Sequence, residues 1–155
     1  MYEGRVGADV LIPINMAMYR SAVEEVGGFD ERLGPGTPFP GAEDNDLGFR
    51  LLESGYRIIY VPEAVIWHRA WRNSSDYFAL RWSYAVAQGG FYAKNLNWRD
   101  RYIIGRAAGE VRRRLSRLPA RVRWRELRMG LGDLVYLAGL GWGAGEWLLR
   151  YRGTR

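Results

Sequence analysis

The sequence predicts a mixed α/β fold, an α+β fragment that continues into helices, and three observations carry that expectation. Short β-rich runs alternate with proline and glycine breakers before residue 70, a helical apolar stripe lies between them, and from residue 76 onward the periodicity is helical. With 155 residues, 48% of them hydrophobic, the chain is long enough for one ordinary core.

Taken in order, Ala8 to Ile12 and Met16 to Tyr19 read as strands broken at Pro13, which cannot donate to a ladder. Ser21 caps a short helix, Ala22 to Val26, that stops at Gly27 and Gly28. Phe29 to Pro40 is rich in turn residues and has no periodicity, as expected of a surface lid or substrate loop. From Asp44 a helical stripe of Leu47, Leu51 and Leu52 runs to Gly55. Arg57 to Val61 and Ala64 to Trp67 are β-rich runs split by Pro62-Glu63, and His68, the sole histidine, follows the second. Asp76 to Asn95 is a long aromatic-rich helix opened by Ser74 or Ser75.

Composition narrows the classes. Cysteine is absent, so disulfide scaffolds and zinc–thiolate sites are excluded. The N-terminus lacks the basic and then apolar pattern of a signal peptide, which gives no support for export. Residues 1–50 carry four Arg against nine Asp and Glu, whereas residues 101–155 carry thirteen Arg against four acids. The chain has an acidic end and a basic end. Lys94 is the only lysine, so part of the arginine excess reflects a general preference for that residue.

Glu43, Asp44 and Asp46 crowd the mouth of the second helix. One acid there is explained by the helix dipole and free N–H groups. The others fit a solvated face, or a set of carboxylates that raise one another's pKa so that one can take a proton near neutral pH. Asp44-Asn45-Asp46 is not read as a metal-binding D-x-D pair, because it opens a helix after a loop. His68 fits a hydrogen-bonded strand end or a metal ligand, and the following Arg69, Trp71 and Arg72 have the composition of a diphosphate site.

As an ordered set, the Asn15-Met16-Ala17 run, the helix ending in Gly27-Gly28-Phe29-Asp30-Glu31, the Glu43-Asp44-Asn45-Asp46-Leu47 block and the strand ending in Trp67-His68 resemble the C-terminal half of the catalytic domain of family 2, GT-A type glycosyltransferases and the related galactosyltransferase C-terminal region. The resemblance spans some 55 residues. It implies an acceptor-side subdomain over 1–98, with Asp44 as the base that deprotonates an acceptor hydroxyl and Gly41, Glu43, Asp46, Arg69 and Arg72 holding substrate, or Glu43 and Asp46 orienting that base. It implies His68 as a ligand of a divalent cation, Mn²⁺ or Mg²⁺, and inverting transfer from a nucleotide-sugar donor to a glycan or lipid-linked acceptor. The nucleotide-binding half of such enzymes has no counterpart upstream of Ala8, so it is expected in cis or in trans. Ala42 stands where a second glycine is usual.

Residues 99–155 lie outside the resemblance and read as a basic helical tail. Ile104, Ala108, Val111, Leu115 and Leu118 form a stripe beside clustered arginines until Pro119, which suits either an anionic membrane surface or packing on the core. Leu131 to Leu149 is too interrupted by Asp133 and Glu146 to span a bilayer, and reads as an interfacial or re-entrant segment whose glycines permit close helix contact. The expected location is cytoplasmic, peripheral at the inner face of the plasma membrane. Nucleic acid is not an expected partner, since no recognition module accompanies the arginines, and a catalytically silent interaction protein is the alternative function.

Overall fold

The computed structural model describes residues 1–67, 69 and 73–151. Five helices make up most of it: α1 (Arg20–Glu25), α2 (Glu43–Glu53), α3 (Tyr77–Lys94), α4 (Arg101–Arg123) and α5 (Leu127–Tyr151), with short 3₁₀ turns at Pro13–Asn15 and Ser74–Asp76.

The helix boundaries follow local chemistry. Gly27, Gly28 and Gly55 take positive φ after α1 and α2, the left-handed exit that glycine allows. Ser21 lies inside α1 and does not cap it; the cap position is Tyr19, with no side-chain hydrogen bond. Asp100 caps α4 by accepting from Tyr102 N–H at 3.0 Å, and a bond from Asn73 N–H to the Asp76 carboxylate, 3.1 Å, closes the turn that leads into α3. The interruption expected at Pro119 does not occur. α4 runs through it to Arg123, and the carbonyl that Pro119 leaves unpaired belongs to Leu115, itself half exposed, where water can serve it.

The four expected strands do not pair. Among the described residues there are only isolated bridges, of which Tyr2 with Ile58 is held by two backbone bonds of 2.7 and 3.0 Å. Ile59, Tyr60, Val65, Ile66 and Trp67 are exposed. β-branched and aromatic residues favour an extended backbone, but a strand also needs a neighbour to accept its hydrogen bonds.

The centre of the molecule is the packing of α3 against α5, made possible by glycine. A Cβ on Gly143 would sit 2.0 Å from the Val86 carbonyl oxygen, and one on Gly89 would sit 2.2 Å from that of Leu140. The two backbones therefore touch, as the glycine spacing suggested. One cluster joins Ala85, Phe91 and Tyr92 to Ile103, Tyr136 and Leu140, and a second joins Leu33, Phe39 and Val86 to Trp147. Both draw on residues from either side of the boundary expected after residue 98. A third, Leu11, Ala22, Leu47 and Leu51, seats α2 on α1.

The loop from Phe29 to Pro40 is not a free lid. Phe39 is fully buried, edge-on to Trp147 at a ring separation of 5.1 Å, and Gly90 makes room for it: a Cβ there would lie 2.5 Å from the Phe39 ring. Thr37 ties the loop to itself through the carbonyls of Gly34 and Phe39, both at 2.9 Å. Phe29, Glu31, Pro38 and the tip at Pro35 and Gly36 face solvent.

Candidate functional site

The site is built at the first turn of α2. Gly41 rests on α3 near Ala87 and Tyr84, and Ala42 enters the helix with φ +64, a left-handed conformation that costs an L-residue about 1–2 kcal/mol. A glycine would be relaxed at this point. The helix has no side-chain cap from Ala42, which leaves its first N–H groups to the acids that follow.

The three acids then part company. Asp46 is 0% exposed and accepts from Arg50 Nε at 2.8 Å, Lys94 Nζ at 2.6 Å and Asn95 Nδ2 at 3.2 Å. Both of its oxygens are taken by cations and an amide. Asp46, expected to hold an acceptor hydroxyl or to orient the base, is thus sealed from solvent with both oxygens engaged. Arg50 goes on to donate to the carbonyls of Val26 and Gly28, and Lys94 also meets Asp30 at 2.6 Å. Burial pushes the Asp30 carboxyl up, but hydrogen bonds from Arg32 and Lys94 outweigh it and hold the group well below the usual carboxylate range. Arg32 in turn lies over the rings of Trp147 and Tyr151 at 4.9 and 5.3 Å. One ionic network thus binds α2, α3, the loop after α1 and the end of α5.

Asp44 is left half-buried at the helix mouth. Its carboxyl is pushed up first by burial and then by the charge of Glu43, against hydrogen bonds from the backbone N–H groups of Asn45 and Asp44 itself. Glu43 packs beside Gly34, and its Oε2 is buried with no hydrogen-bond partner among the described residues. Asn45 donates to Gln88 on α3 at 3.0 Å.

A second acid, which the sequence did not single out, approaches from the N-terminal segment. Asp9 pairs with Arg106 of α4. Its carboxyl is raised by burial, with Arg106 lowering it and the charges of Glu110 and Asp44 adding to the rise. No spacing rule joins residues 9, 44 and 106. For Lys94 there was a signal: it is the chain's single lysine, and it lies between two carboxylates.

Arg69 is exposed, outside regular structure. His68 and Arg72 lie outside the described residues. Among the described residues no three of His, Cys, Asp and Glu converge as a metal site.

The tail arginines divide in two. Arg106, Arg114 and Arg121 turn inward, Arg114 to Glu110 at 3.0 Å and Asp133 at 3.2 Å, Arg121 to Asp133 at 2.7 Å. Arg112, Arg113, Arg117 and Arg123 remain exposed. Among the described residues no helix is long and apolar enough to cross a membrane.

No family model and no solved structure matches the chain. An N-acetylglucosaminyl-diphospho-decaprenol L-rhamnosyltransferase of Mycobacterium tuberculosis, found in strains CDC 1551 / Oshkosh and ATCC 25618 / H37Rv, is 47% identical over 58 residues. The match covers 37% of this chain and spans 17% of the length of those relatives. Part of the chain is therefore similar to a glycosyltransferase.

Proposed function

We propose that the chain carries the acceptor side of an inverting glycosyltransferase site, with Asp44 as general base. The observation that carries this reading is the division of the three acids, which leaves Asp44 half-buried, with a raised pKa, at an uncapped helix mouth, while Asp46 is locked into the scaffold. In the reaction, the Asp44 carboxylate takes the proton of an acceptor hydroxyl as its oxygen attacks the anomeric carbon. The bond from that carbon to the nucleoside diphosphate breaks, and the configuration inverts.

The relative's name describes a lipid-linked acceptor, which supports a polyprenyl-diphosphate sugar as acceptor here. The donor is held by a nucleotide-binding half that these residues do not supply, in cis or in trans. The unpaired, exposed run through Ile59, Val61 and Val65 is a surface such a half could cover. A divalent cation under the donor diphosphate, with His68 as a ligand and Arg69 and Arg72 toward the phosphates, rests on the resemblance alone. The described residues offer no converged ligand set.

The test is transfer by the chain together with its donor-binding half. Asp44→Asn should lower turnover by about 10²- to 10⁴-fold with folding and donor binding intact. Near-normal turnover would remove Asp44 from the role.

A further inference from the structure

The outer face of α5 is apolar and exposed, with no charged side chain on it between Arg128 and Glu146. Leu127, Leu131, Leu134, Trp142, Leu148 and Leu149 all point away from the core, Trp142 being 60% and Leu149 84% exposed. Their spacing keeps them on one side of the helix, with Ala138, Gly141 and Gly145 filling the same stripe. A 25-residue helix is about 37 Å long, so this is a long apolar strip and not a scatter of single residues. Trp82 of α3 extends it, its ring 6.4 Å from that of Trp142.

The edges of the strip are basic. Trp124 and the exposed Arg123, Arg125 and Arg128 stand at one end, and Arg150 at the other. The nearby acids are taken: Glu126 by Arg121, and Glu146 by Arg150 and by Trp142 Nε1–H. A second copy laid antiparallel on this face would set arginine against arginine. A bilayer with anionic headgroups offers the opposite charge and an apolar interior at the depth of the leucines, with tryptophan suited to the boundary.

We propose that the outer face of α5, rimmed by these arginines, lies flat in the surface of an anionic lipid bilayer. Of the two segments the sequence offered to a membrane surface, the stripe of α4 and the interfacial run of Leu131 to Leu149, this places the contact on the second. The contact depends only on the surface of α5, so it survives if the catalytic reading fails.

The full chain should float with vesicles of phosphatidylcholine and phosphatidylglycerol, less so at high salt, and not with phosphatidylcholine alone. Leu131→Glu combined with Leu134→Glu should weaken that partition on the order of tenfold or more, because two leucines no longer enter the interface. Arg123→Gln with Arg125→Gln should weaken it and flatten the salt dependence. All four side chains are exposed, so circular dichroism should be unchanged; if the leucine pair disturbs the fold, Leu149→Asp serves in its place. The proposal falls if the wild-type chain ignores the anionic vesicles or if the apolar-face variants bind as well as wild type. It also falls if sedimentation shows a dimer that these variants dissolve while no vesicle binding occurs.

Discussion

Substituting alanine for Gly143 should destabilise the protein, although alanine is the better helix former. In the middle of an exposed helix the exchange gains about 1 kcal/mol. At Gly143 the added Cβ would lie 2.0 Å from the Val86 carbonyl oxygen and 2.7 Å from Val86 C and Cα. Those atoms are backbone and cannot rotate away, so α3 and α5 must part by roughly an ångström along their contact. Overpacking costs about 1–3 kcal/mol where side chains can yield, and here they cannot. The net should be a loss of about 2 kcal/mol. For a chain of this length that is a fall in midpoint of about 4–8 °C. Gly141 lies on the same helix, and a Cβ added there would meet nothing within 4 Å, so Gly141→Ala is the control and should raise the midpoint by about 2–4 °C. Thermal unfolding followed by far-UV circular dichroism reads both. A Gly143→Ala protein at least as stable as Gly141→Ala would refute the backbone contact on which the fold is built.

Two further outcomes follow from the acids. Because the Glu43 charge helps to raise the Asp44 pKa, and a base works only when deprotonated, the rate should fall as pH drops through that raised value; Glu43→Gln should move this acid limb to lower pH, and an unmoved limb in kcat/KM would separate the two residues. Asp46→Ala takes the carboxylate from Arg50 and leaves Lys94 with Asp30 alone, which should cost about 1–3 kcal/mol in denaturant unfolding. If that variant unfolds like wild type and instead raises the KM for acceptor, Asp46 is a substrate residue after all.

Much of the helical order was legible because it is local. The glycines after α1 and α2, the apolar period of α2 and the aromatic run of α3 each speak through residues within a few positions of one another. The extended runs around Ile12 and Ile59 misled because β propensity describes a backbone preference, while pairing depends on a partner elsewhere. The acids at residues 43, 44 and 46 were visible as a cluster, but not which was buried: that depends on Lys94 and Asn95, almost fifty positions away. The glycines of α5 were read correctly as contacts, yet nothing in their spacing tells Gly143, pressed on Val86, from Gly141, facing outward.

The seat of Phe39 has a bearing on how the chain is made. Its cover comes from Val86 and Trp147, so the loop leading into the candidate site waits for more than a hundred further residues before it can close. At about 5–20 residues per second, a ribosome takes several seconds to deliver them. Through that interval Phe39 and Leu33 stand exposed on an emerging chain, as does the face of α3 that packs on α5. A nascent chain arrested at residue 97 would hold every residue of the acidic mouth and still lack the Trp147 ring that covers Phe39.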